Sequence, residues 1–175
     1  MAPNTPAPET MGVTAHVHVE LFAADGTLKY EEWGDNLVTD YGDDMIATRM
    51  FDDAIDFITG MKLGDQGTPT AASKNGTGAT LESYVTGSQE ALDATPTEAT
   101  KGAGAGWRVT HICTWIAGDV TNSALSEVVL TNETPISDTT AVVGDTAARY
   151  VFGSTIDKGS GDELVVTWHV DILGA

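Results

Sequence analysis

Apolar and polar side chains alternate over residues 13–21: Val13, Ala15, Val17, Val19 and Leu21 share one parity, Thr14, His16, His18 and Glu20 the other. A period of two belongs to a strand with one face buried and one in water. Ala24-Asp25-Gly26-Thr27 interrupts the pattern, and Leu28, Tyr30 and Trp33 resume it. An Asp-Gly pair supplies the positive φ of a tight turn, so the chain is expected to open on a β-hairpin. After Asn36-Leu37-Val38 the period changes. Ile46, Met50, Ala54 and Phe57 recur at steps of four and three, the spacing of one helical face. Thr39 or Asp40 is placed to cap this helix, Asp43 and Asp44 suit its first turn, and Thr59-Gly60 is its expected end.

The period of two returns at Trp107. Trp107, Val109, Cys113 and Trp115 fall on one face, with Ile112 and Ile116 on the other, so both faces are expected to be at least partly covered, which fits a central strand in a sandwich. Residues 125–130 and 147–156 read as further strands. The turn Lys158-Gly159-Ser160-Gly161-Asp162 then leads into Leu164, Val166, Trp168, Val170 and Ile172, alternating with Val165, Thr167, His169 and Asp171. This predicts a closing hairpin.

Between these blocks, residues 64–106 are dominated by Gly, Ala, Thr, Ser, Asp and Pro, with short apolar pieces at 81–85 and 89–92. They read as a long loop excursion from a single domain spanning 13–175. Residues 1–12, with Pro3, Pro6 and Pro8, read as a flexible, extended N-terminal arm. The expected fold class is mainly β: a jelly-roll-like antiparallel β-sandwich with one α-helix packed on it.

Charge narrows the functional classes. Asp and Glu outnumber Lys and Arg by 26 to 8, a net charge of −18. So few cations cannot neutralise a row of phosphates, which argues against nucleic acid, and an anionic membrane surface is disfavoured for the same reason. Self-repulsion on this scale opposes folding. At about 1 M salt the Debye length falls to roughly 3 Å and the repulsion is screened, so the composition suggests a halophilic setting. An ordinary acidic surface kept for solubility is the alternative. Hydrophobic residues make up 41% of the chain, with four Trp, four Tyr and four Phe, enough for a core. No basic start precedes an apolar stretch and no run of 18 apolar residues occurs, so neither a signal peptide nor a membrane span is expected.

Candidate chemistry is sparse. Cys113, the single cysteine, lies in an apolar run and reads as a buried thiol instead of a nucleophile. His16 and His18 share a strand face about 7 Å apart, a spacing that can serve zinc. With His111 and His169 the only other histidines and no Cys pair, a solvated strand face is the preferred reading and no metal is assigned. The acidic runs at 40–44 and 52–53 lack the order of a calcium-binding EF-hand loop. The glycines of 102–106 precede a strand without a Lys-Ser or Lys-Thr pair, which suits linkage better than a phosphate cradle. Ser88, Ser123 and Ser160 lack the Gly-x-Ser-x-Gly setting, and carboxylates are too numerous for one pair to stand out as acid and base. Neither an enzyme nor a cofactor is expected.

The order of segments carries a resemblance. Asn36-Leu37-Val38-Thr39, a helix, Met61-Lys62-Leu63-Gly64 with Gly67-Thr68-Pro69-Thr70-Ala71-Ala72, the Trp107 strand, Ser126-Glu127-Val128-Val129-Leu130-Thr131-Asn132 and Gly161-Asp162-Glu163-Leu164-Val165-Val166-Thr167-Trp168 follow one another. Over roughly residues 13–175 this resembles a widespread group of small virion proteins of tailed viruses. The resemblance implies a β-rich structural subunit, commonly a homotrimer, made in the host cytoplasm and located in the virion. It would be a capsid decoration, or cement, protein that binds the major capsid protein or neighbouring virion subunits. Pro3, Pro6, Pro8, Gly67, Thr68, Pro69 and Tyr84 are the expected partner interface. The alternative is a tail, baseplate or fibre component presenting Trp33, Tyr41 or Tyr84 to host carbohydrate, and a cellular carbohydrate-binding sandwich is a third reading.

Overall fold

The computed structural model describes residues 12–50, 52, 56–94, 97–100 and 106–173; Pro3, Pro6 and Pro8 lie outside them. Strands β1 (Gly12–Phe22) and β2 (Leu28–Val38) form the expected opening hairpin, with Gly26 at φ +82° in its turn. Helix α1 (Asp40–Arg49) follows, then β3 (Gly60–Gly64), β4 (Glu90–Ala91), β5 (Thr97–Thr100), β6 (Trp107–Trp115), β7 (Asn122–Thr131), β8 (Thr146–Lys158) and β9 (Glu163–Leu173).

The strands lie in the order β4-β3-β7-β8-β2-β1-β9-β6-β5, each antiparallel to its neighbours. β2 turns the corner: it pairs with β1 over most of its length and with β8 only through Leu37 and Val38. At the far end the chain after β4 comes back to β6. The Asp93 N–H donates to the Ile112 carbonyl at 2.9 Å, and the Cys113 thiol reaches the carbonyls of Glu90 and Ala91 at 3.5 Å. The result is a nearly closed antiparallel sheet that carries, among the described residues, one α-helix.

Inside it, β1 contributes Val17, Val19 and Leu21, β9 contributes Leu164, Val166 and Trp168, and β6 contributes Cys113 and Trp115, all essentially inaccessible. β3, β7 and β8 close the core from the other side with Leu63, Val128, Leu130 and Ile156. Burying a side chain of this kind contributes roughly 1.5–3 kcal/mol, so the alternation seen in β1 and β9 has a direct energetic basis.

Three expectations are corrected. β8 and β9 do not form a hairpin, because β2 and β1 stand between them. Both strands bury alternate side chains in the same core, Phe152 and Ile156 from one and Leu164 and Val166 from the other, so the short link arches from wall to wall. Lys158 braces that arch, donating to the carbonyls of Ile116, Asp119 and Asp162 at 3.2, 2.7 and 2.8 Å.

The helix is shorter than predicted. The Gly42 N–H donates to Thr39 Oγ1 at 2.9 Å, the expected cap, but α1 ends at Arg49, and Met50 and Phe57 are 73% and 74% exposed. Gly60 does not close the helix; it opens β3. A Cβ there would come within 2.1 Å of the Glu90 carbonyl oxygen, so the glycine permits close strand approach.

The outer face of β6 is only partly covered: Ile112 is 38% exposed, and Ile116, just past the strand's end, is 54% exposed. Trp107 is half exposed as well, while Trp115 and Trp168 are the aromatic centre.

Much of the 64–94 segment folds down onto β3 and β7. Ser88 is buried and its Oγ accepts from the Leu63 N–H at 3.0 Å, while Trp115 Nε1 donates to the Ser88 carbonyl at 2.9 Å. Leu81 packs with Val129 and Ala141 in a second small core. Beneath it, Glu127 accepts from the N–H groups of Glu82 and Ser83 at 3.0 and 3.2 Å.

Among the described residues Lys62, Arg149 and Lys158 are fully buried, and so are Glu127 and Asp171, with Asp162 nearly so. Burial therefore withdraws both signs of charge from the surface and leaves its acidic excess in place.

Candidate functional site

The side chains that β1, β2, β6 and β9 turn away from the core form one open face. Register decides who meets whom. His18 stands opposite Trp33, His16 opposite Asp35 and Glu20 opposite Glu31 across β1–β2. On the other side His16 stands opposite His169, and Thr110 and Arg108 of β6 stand opposite His169 and Asp171.

Trp33 dominates this face. Its ring is 60% exposed and lies flat on His18, with centroids 3.8 Å apart and planes 12° from parallel. His169 lies nearly parallel to the same indole at 6.3 Å. Its Nδ1 is 3.0 Å from Thr110 Oγ1, and burial together with the Arg108 cation holds its pKa below the ordinary imidazole value. At neutral pH it is therefore an uncharged hydrogen-bonding group.

Arg108 is held as a fork. Its Nε and Nη2 donate to Asp171 Oδ1 and Oδ2 at 2.8 and 3.0 Å, and Asp171 is fully buried. Paired N–H groups on one carboxylate fix the guanidinium plane as well as its charge. The Asp171 carboxylate raises the Arg108 pKa in turn. His16 bridges Asp35, at 2.7 Å, and Asp171, at 3.8 Å.

Between these groups lies an open groove of about 300 Å³ lined by His16, Trp33, Gly34, Asp35, Arg108 and His169. A flat indole flanked by donors and acceptors of both charge signs can take the apolar face of a sugar ring or an aromatic-rich protein surface.

His16 and His18 are thus brought onto one face, but to different partners: His18 has Glu20 and Glu31 around it, His16 has Asp35 and Asp171. His169 comes directly opposite His16, a proximity that strand alternation alone does not reveal. His111 points the other way and is buried. Gly67 and Thr68 are exposed and Pro69 half-buried after β3, away from this face. Tyr84 is tied down, its hydroxyl 2.8 Å from Asp138 Oδ1 and 2.9 Å from Gln89 Oε1. Trp33 as a stacked platform and the Arg108–Asp171 fork are legible only once strand pairing is known.

Compared with known protein families, curated proteins and solved structures, the chain matches none.

Proposed function

We propose that this chain is a structural subunit of a tailed-virus particle, a capsid decoration protein that binds the major capsid protein and stabilises the shell by adhesion. The observation that carries this reading is the exposed Trp33 platform on the outer face of β2-β1-β9-β6, fixed by His18 beneath it and flanked by the Arg108–Asp171 fork. Trp and Arg are the residues most enriched among binding hot spots, and a rigid flat face suits contact spread over area. The order of sequence segments supports the virion assignment, and the acidic composition supports a halophilic host.

In this reading the protein acts as a homotrimer without catalytic chemistry or cofactor, and many modest contacts sum across subunit boundaries. Gly67 and Thr68 add a second exposed contact region. The jelly-roll-like arrangement belongs to the same proposal; the nearly closed antiparallel sheet with its single helix supports its coarser part.

Binding of the purified protein to shells that lack it tests the proposal. Trp33→Ala should weaken binding by at least about tenfold, as loss of a hot-spot aromatic does, without lowering the melting temperature. Unchanged binding would remove this face from the interface.

The groove beside Trp33 favours one second reading, a tail or fibre component that grips carbohydrate on the host surface. Saturable glycan binding that is lost in Trp33→Ala, with no affinity for shells, would establish that reading instead.

A further inference from the structure

We infer that His18, Glu20 and Glu31 form a binding site for a divalent transition-metal ion of the zinc class, clipping β1 to β2. One ligand atom from each of the three side chains lies within 4.8 Å of the other two. His18 Nε2 is 3.0 Å from Glu31 Oε1, and His18 Nδ1 is 3.5 Å from Glu20 Oε2. Zinc binds imidazole nitrogen and carboxylate oxygen at about 2.0–2.2 Å, and since only one nitrogen of His18 can face the ion, the carboxylate now at the other nitrogen swings to that side of the ring when the ion binds.

Two further features point to a cation. Glu20 and Glu31 are direct cross-strand partners, and like charges placed opposite each other destabilise a ladder. A dication between them converts that repulsion into attraction. Carboxylate oxygens also approach both nitrogens of His18. A neutral imidazole carries one N–H, so one of these approaches sets a nitrogen lone pair against oxygen lone pairs unless a second proton or a metal ion lies there.

The ligand set selects the class of ion. One imidazole with two carboxylates suits zinc and its first-row neighbours, whereas calcium and magnesium take oxygen ligands almost throughout. Trp33 stacked on His18 holds the ring plane, so the nitrogen is already oriented. Glu31 is exposed, which leaves the ion open to water at its remaining position.

The site is tested on the full chain, stripped with chelator and titrated with zinc chloride by calorimetry at neutral pH. Calcium and magnesium chloride serve as comparisons. Zinc should bind saturably with one ion per chain, and His18→Gln, Glu20→Gln and Glu31→Gln should each weaken it by at least about tenfold. Zinc should also raise the melting temperature of the wild type but not of Glu31→Gln. All three side chains face outward, and circular dichroism confirms that each variant is folded. Absence of saturable zinc binding, or binding that survives Glu20→Gln/Glu31→Gln, overturns the proposal. So does binding lost in His16→Gln and retained in His18→Gln, which would move the ion to the neighbouring Asp35 and Asp171.

Discussion

Arg149 and Glu127 are both fully inaccessible, and Arg149 Nη2 and Nε lie 2.7 and 2.9 Å from Glu127 Oε2. The pair lies where β7 and β8 meet the 64–94 segment. Glu127 Oε1 accepts two backbone N–H groups from that segment, and Arg149 Nη2 also reaches Glu82 Oε1 at 3.1 Å. Removing one member leaves a buried charge without compensation, which costs about 3–5 kcal/mol. Glu127→Ala and Arg149→Met should each lose stability on that scale in urea unfolding. The double variant should lose clearly less than the two losses added together, because the orphaned charge is gone. Strict additivity would show that the two residues do not act as a unit.

Cys113 of β6 is inaccessible where that strand faces β4, and burial pushes its thiol pKa far above the ordinary range. Since the thiolate is the reactive form, a disulfide-exchange reagent should leave the folded protein unmodified and titrate one thiol after denaturation. Rapid labelling of the native chain would mean that the seam between β4 and β6 opens readily.

His111 carries a pH dependence of definite sign. Burial lowers its pKa from 6.5 to about 4, and its Nδ1 has no hydrogen-bond partner. Below pH 6.5 the unfolded chain takes up a proton that the folded chain refuses until about pH 4. Stability held above 6.5 is therefore lost across that interval as the pH falls. His111→Gln removes this contribution. The difference in melting temperature between wild type and variant should shift steadily across this window and flatten on either side. A difference independent of pH would contradict the burial of a neutral imidazole.

The halophilic reading rests on net charge. Lys62, Arg149 and Lys158 are inside, but so are Glu127, Asp162 and Asp171, so the excess of −18 stays on the surface, where it repels itself. The melting temperature should rise between about 0.1 M and 2 M sodium chloride as screening shortens the Debye length. No rise would mean that self-repulsion does not limit stability.

Much of the secondary structure was legible because burial imposes a period. β1 and β9 each turn one apolar row inward, and Val17, Val19, Leu164 and Val166 are where the alternation places them. Pairing order was not legible, because alternation says which side chains a strand buries and not which strand lies beside it. The Gly159–Asp162 link has the chemistry of a hairpin turn, yet it crosses the core.

The site shows the same division. His16 and His18 were recognisable from their spacing, but His169, Trp33 and Arg108 join them only through cross-strand register. Glu127 and Arg149 look like solvent-facing charges in sequence; each is tolerated inside because the other is there.

Copy number in a purified particle tests the proposed role most directly. Quantitative mass spectrometry against the major capsid protein should find this chain within a few-fold of that subunit, as expected of a protein that decorates the whole shell. A handful of copies per particle would place it in the tail, and its absence from particles would contradict the virion account.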